Sequence, residues 1–70
     1  MRNSQEIAIL IKAELKNKNI TTAKMLSDVG LDKSVLVSMK NGSMPSADKL
    51  AKIALYLNVS MEYLMGLVEQ

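Results

Sequence analysis

Five residues near the middle of the chain have the side-chain types and the helical spacing of a surface that contacts nucleic-acid bases. On a helical wheel of about 100° per residue, Ser34, Val37 and Asn41 share one side, with Lys33 and Ser38 at its edges. In a DNA major groove, lysine binds guanine edges, serine binds several bases, and a small apolar side chain contacts a thymine methyl group. An ordinary solvated helix surface has the same composition, so a surface without a ligand remains an alternative.

Catalytic and metal-binding side chains are scarce by comparison. The chain has no His and no Cys, which removes two frequent acid–base or nucleophilic residues and the usual zinc ligands. The carboxylates lie at helix starts or in exposed positions, and Ser27, Ser34 and Ser38 have no evident base beside them. We therefore expect no enzyme activity, no metal and no cofactor.

Length and composition favour one small helical domain. A chain of 70 residues is near the lower limit for folding without disulfides or metal. Hydrophobic residues make up 49% and aromatic residues 3%, so we expect a core of Leu, Ile, Val, Met and Ala. The apolar run at 7–11 is too short to cross a bilayer, and Lys12 and Glu14 follow it. We expect no membrane segment and a cytoplasmic location.

The charge of the chain gives only weak evidence about its partner. The formal net charge is +2 at pH 7. Residues 1–45 contain seven basic and four acidic residues, whereas residues 46–70 contain two and three. This uneven distribution slightly favours a polyanionic partner, but a solvated surface explains it equally well.

Helix-start signals divide the chain into five segments. Asn3 followed by Glu6 has the pattern of a capping box. A polar cap four residues before an apolar residue recurs at Thr21, Asp32, Ser60 and, more loosely, Ser46. These signals predict helices at about 4–17, 22–28, 33–40, 47–57 and 61–67. The predicted fold class is therefore a compact all-α domain.

A tight turn separates the second and third predicted helices. Gly30 closely follows the second helix, and Asp32 can cap the third. The residue that closes a helix commonly needs φ > 0, which glycine adopts without penalty. A connection this short is typical of a helix-turn-helix rather than of an antiparallel hairpin.

Polar residues at the outer ends of these two helices are candidates for binding phosphates. Thr21 and Thr22 open the second helix, where backbone amides and the positive end of the helix dipole favour an anion. Asn41 and Gly42 close the third helix and add further polar groups. We therefore expect phosphate contacts on both sides of the third helix.

Several short motifs occur in a characteristic order along residues 21–66. They are Gly30 in the turn, "NG" at 41–42, "PSADKLAKIA" after it, and "VSMEYLMG" at the end of the segment. In this order they resemble the Cro and lambda-repressor type of helix-turn-helix domain, the Xre family. The resemblance implies a single five-helix domain over 1–70, with the helix-turn-helix at about 21–41.

The resemblance also implies a function and a set of site residues. The family binds double-stranded operator DNA sequence-specifically, usually as a homodimer on two half-sites, and many members are repressors of phage or prophage type. The resemblance places base reading at Lys33, Ser34, Val37 and Ser38. It places phosphate contacts at Thr22, where the family often has Gln, and at Asn41.

A protein-interaction module without DNA binding is the alternative from a different class. Tyr63, Leu67 and Val68 give the C-terminal segment an apolar character. These side chains either complete the core or form a homodimer interface. Salt dependence distinguishes the two functions, because phosphate-driven binding weakens steeply with salt and apolar docking does not.

Overall fold

The computed structural model describes residues 1–68, and within them it contains five helices and no strand. The helices are α1 (Ser4–Asn17), α2 (Thr22–Val29), α3 (Ser34–Lys40), α4 (Ala47–Leu57) and α5 (Met61–Met65). This arrangement confirms the predicted all-α fold. The single domain predicted from the sequence runs to residue 70, so its last two residues lie outside the described part.

Three helix boundaries differ by one or two residues from the predicted ones. α2 extends to Val29, because the left-handed residue that ends it is the next one, Gly30. α3 begins at Ser34 rather than at 33. α5 ends at Met65, two residues early, because Gly66 adopts φ 82° and closes the helix.

The start of α1 forms the capping box that the sequence predicts. Asn3 Oδ1 accepts a hydrogen bond from the Glu6 amide at 2.8 Å, and Glu6 Oε1 accepts one from the Asn3 amide at 2.9 Å. Two first-turn amides that have no partner inside the helix are therefore satisfied by side chains.

Of the four remaining predicted caps, those at Thr21 and Ser60 and the one at Asp32, described below with the turn, make the expected hydrogen bond, and the one at Ser46 does not. Thr21 Oγ1 accepts from the Lys24 amide at 3.1 Å, and Ser60 Oγ accepts from the Tyr63 amide at 3.0 Å. Ser46 precedes α4 in an extended conformation but makes no capping hydrogen bond with its side chain. The helix start predicted there, the loosest of the four, is nevertheless correct, because α4 begins at the next residue, Ala47.

The helices enclose one core of aliphatic side chains. α1 packs against α3 and α5, while α4 packs against α2 and α5. The buried hydrophobic residues are Ile7, Ala8, Ile11, Leu15, Met25, Leu26, Val35, Leu36, Met39, Leu50, Ile53, Ala54, Leu57 and Leu64. The short helices α2 and α3 are too short to persist alone, so their orientation depends on this packing.

The C-terminal apolar residues Leu67 and Val68 do not complete the core, which was one of the two alternatives given for them from the sequence. Leu67 and Val68 are 59% and 51% exposed. Tyr63 is half-buried, and its ring lies under the Arg2 guanidinium, whose central carbon is 5.6 Å from the ring centre. Because α5 ends early, the chain leaves the core before it reaches Leu67 and Val68.

Candidate nucleic-acid interface

The turn between α2 and α3 has the backbone conformation that the sequence predicts. Gly30 lies in the left-handed region with φ 73° and ψ 32°. Its amide donates to the Ser27 carbonyl at 3.2 Å, and the Leu31 amide donates to the Leu26 carbonyl at 2.9 Å. These two bonds close α2 and redirect the chain within one residue. Half-buried Leu31 packs against the core and fixes the far side of the turn.

The start of α3 is held by Asp32. Its Oδ1 accepts from the Ser34 amide at 2.8 Å, and its carbonyl accepts from the Val35 amide at 3.2 Å. The pKa of the Asp32 carboxyl lies below its usual value, because the Ser34 amide and hydroxyl hydrogen-bond to the carboxylate, and Lys33 and Lys49 add attraction. Asp32 thus caps α3 as predicted, with Lys33 as an additional residue between cap and helix.

α3 has one buried side and one accessible side. Val35, Leu36 and Met39 are 7%, 3% and 0% exposed and anchor the helix in the core. We define the α3 outer face as the five residues on the other side: Lys33, Ser34, Val37, Ser38 and Asn41. Ser38 is half-buried, and the other four are exposed. The predicted base-reading side chains are therefore accessible together on one surface.

A cleft runs along one edge of the α3 outer face. Ser34 and Ser38 line it from α3. The opposite wall is formed by Lys49 in the first turn of α4 and by the segment that leads into that helix, Ser43, Met44, Pro45 and Ser46. The Ser43 amide donates to the Ser38 carbonyl at 2.9 Å and holds this segment against α3. We call this feature the α3–α4 cleft. Its polar lining consists of hydroxyls, the Asp32 carboxylate and one lysine.

The predicted phosphate-binding residues lie in two places. Asn41 caps the C-terminal end of α3, and Gly42 follows with φ 95°. Thr21 and Thr22 lie at the N-terminus of α2, which is eight residues long, and outside the α3–α4 cleft. The Thr21 oxygen accepts a hydrogen bond from the first turn, so its hydroxyl proton remains free to donate to an anion.

Lys40 extends the α3 outer face and was missed in the sequence. It follows Lys33 by seven residues, so both lie on the same side of α3, along the edge opposite the α3–α4 cleft. Gln5 Nε2 donates to the Lys40 carbonyl at 3.1 Å and connects α1 to this edge. The spacing from Lys33 was the available signal, whereas the contact with α1 depends on tertiary packing.

A polar network connects α2 to α4 and so positions the first helix of the motif. The Tyr56 hydroxyl donates to Asp28 Oδ2 at 2.8 Å, and Lys24 Nζ lies 3.3 Å from the same oxygen. The hydrogen bond from Tyr56 and then the one from Lys24 lower the pKa of Asp28, and the same contact raises the pKa of Tyr56. Lys24 and Asp28 are only four residues apart, but Tyr56 lies 28 residues beyond Asp28. The sequence therefore did not predict the part of the network that joins α2 to α4.

Comparison with known families agrees with this geometry. A model described as a helix-turn-helix domain matches residues 8–70, which include all of α2 to α5 and most of α1. The match fits the Cro and lambda-repressor type of domain and does not specify the Xre subfamily. No curated protein and no solved structure matches the sequence significantly. Within residues 1–68, no helix has the length and apolar composition that a membrane-spanning segment requires.

Proposed function

The chain belongs to the helix-turn-helix domain family, which is a family of DNA-binding regulators, and we propose that it is a sequence-specific transcriptional regulator of the repressor type. The observation that carries this proposal is the α3 outer face, which is accessible while the reverse side of the same helix is fully anchored. A helix held in this way can lie in the major groove of a DNA duplex without losing its packing.

Base recognition would come from the side chains of the α3 outer face. Lys33 is the candidate for a guanine contact and Val37, which is 57% exposed, for a thymine methyl group. The Ser34 hydroxyl is exposed and can both donate and accept a hydrogen bond, so it suits several bases. Ser38 lies one helical turn further along, at the α3–α4 cleft.

Phosphate contacts would fix the orientation of α3 in the groove. The amides of the first turn of α2 and the hydroxyls of Thr21 and Thr22 are suited to one backbone phosphate. Asn41 and the exposed backbone at Gly42 are suited to another, beyond the end of α3. These contacts carry no sequence information, so they would contribute equally to operator and random DNA.

Two copies would bind one operator, with half-sites about 34 Å apart. The homodimer interface proposed here includes Tyr63, Leu67 and Val68. The exposure of Leu67 and Val68 supports it, because residues 1–68 leave more than half of each side chain uncovered. Binding of a dimer to an operator would repress transcription by excluding polymerase, and a chromosomal or phage DNA ligand is consistent with a cytoplasmic location.

The test is selection of binding sites from a random duplex library, followed by titration of the selected duplex against salt. We expect a palindromic site and a steep loss of affinity with salt. Failure to enrich any sequence, with no binding of duplex DNA at low salt, would refute the proposal.

The exposed C-terminal side chains also support a second candidate, a protein-interaction or dimerisation module that does not bind DNA. Leu67 and Val68 would then be the recognition surface rather than a dimer interface on an operator. Association that is insensitive to salt, in a protein that enriches no duplex, would favour this candidate.

A further inference from the structure

Two lysines from different helices lie next to each other at the edge of the α3 outer face. Lys12 is on α1, and Lys40 is the last residue of α3. Both are exposed. The hydrogen bond from Gln5 Nε2 to the Lys40 carbonyl holds the two helices together about two turns before Lys12, on the same side of α1. We call Lys12 and Lys40 the lysine pair.

Within residues 1–68, no ion pair neutralises the positive charge of the lysine pair. Among residues 1–68, the ion pair found within 4.0 Å joins Lys24 to Asp28, on α2. Of the two carboxylates on α1, Glu6 is engaged at the cap with Asn3, and Glu14 lines a cavity with Lys18 on another side of the helix. Proximity to Lys40 lowers the pKa of Lys12, as expected for adjacent like charges.

The position of the lysine pair relative to the α3 outer face suggests what it binds. The α3–α4 cleft borders this face on one edge, and the lysine pair borders it on the other. A helix in the major groove has a DNA backbone on each side, because the groove is only about 12 Å wide. An anion between two ammonium groups also removes the repulsion that they have in the free protein.

We propose that the lysine pair binds one DNA backbone phosphate at the edge of the groove that holds α3. This inference rests on the proposed function and adds α1 to the DNA interface. Lys12 and Lys40 act together on a single phosphate, and Gln5 positions them by fixing α1 against the end of α3.

The first test measures the salt dependence of DNA binding for a double variant, Lys12→Met with Lys40→Met. The slope of log affinity against log salt should become shallower by about one unit, on the selected operator and on random duplex alike. The matched control removes two lysines away from this edge, Lys18→Met with Lys52→Met, and its slope should stay close to that of the unchanged protein. Circular dichroism and melting confirm that both variants are folded.

The second test identifies the phosphate by replacing single phosphates of the operator with neutral methylphosphonates. One position in each half-site should weaken binding of the unchanged protein and have no further effect on the Lys12→Met, Lys40→Met variant. Either of two results would overturn the inference. One is an equal slope of log affinity against log salt for the double variant and the unchanged protein; the other is that every methylphosphonate weakens binding of the double variant as much as it weakens binding of the unchanged protein. If the unchanged protein binds no duplex at all, the proposed function itself fails, so the two failures are distinguishable.

Discussion

Replacing Gly30 tests whether the left-handed turn between α2 and α3 is a requirement of the fold. A Cβ atom at this position would have no other atom within 4 Å, so the expected loss comes from backbone conformation and not from a clash. The left-handed region costs an L-residue roughly 1–2 kcal/mol, and a β-branched side chain is the least tolerant of it. A domain of this size loses about 4–8 °C in melting temperature per kcal/mol.

We therefore expect Gly30→Val to lower the melting temperature by roughly 8 °C or more, at the upper end of this range. Gly30→Ala should lose less. Gly30→Asn should lose least, because Asn19 and Asn58 adopt φ 57° and 60° elsewhere in the same chain. Thermal and urea unfolding of the four proteins give this order directly, and an unchanged urea slope would show that the denatured state is not altered.

Two results of this series would refute the reasoning. Equal stability of all four proteins would show that the chain can turn between α2 and α3 without a left-handed residue. A loss with Gly30→Ala well above about 2 kcal/mol would show that the added carbon meets a neighbour, contrary to the open space around it.

Four further substitutions test the interface, the α2–α4 network and the core, the last of them as a control for the core. Lys33→Ala should weaken binding to the selected operator by about 1–3 kcal/mol and leave binding to random duplex almost unchanged; an equal loss on both DNAs would exclude a base contact. Tyr56→Phe removes the hydrogen bond that lowers the pKa of Asp28. Because that pKa is lower in the folded state, the stabilisation is present above the ordinary carboxyl pKa and is lost as the pH falls through the folded value. The unfolding free energies of Tyr56→Phe and the unchanged protein should therefore differ at pH 7 and approach each other in acid, and a gap independent of pH would contradict this. Met39→Ala at a fully buried position should cost about 2–5 kcal/mol of unfolding free energy, whereas Val37→Ala on the exposed side should leave urea unfolding within about 0.5 kcal/mol.

Local chemistry explains why the helix starts could be predicted from the sequence. The caps at Asn3, Thr21 and Ser60 each act on an amide three residues away, so the whole interaction lies in a four-residue segment. The end of α5 was less predictable, because Gly66 closes it before the apolar residues that follow. An apolar pattern alone therefore extended the predicted helix too far.

Contacts between distant segments were not predictable in the same way. Tyr56 and Asp28 are 28 residues apart, and Gln5 and Lys40 are 35 residues apart. No local sequence pattern links either residue of a pair to its partner, because each contact depends on how the helices pack. All five residues of the α3 outer face lie within one helical segment, so a helical wheel was enough to group them. The lysine pair joins two helices, so it could be recognised only after the packing of α1 on α3 was known.

Net charge is a poor guide to how such a domain would bind DNA, and the distribution of cations around α3 is a better one. The chain has a formal charge of only +2, yet Lys40 and Lys12 lie along one edge of the α3 outer face, and Lys49 lies in the cleft on the other. Coulomb interactions in salt solution decay over about 8–10 Å, so a phosphate beside α3 responds to these nearby ammonium groups and hardly to carboxylates elsewhere on the surface. A weakly basic chain can therefore present a cationic edge, formed by the lysine pair, to the groove that it occupies. The same argument predicts that charges far from α3 contribute little, which is why Lys18 and Lys52 serve as the matched control.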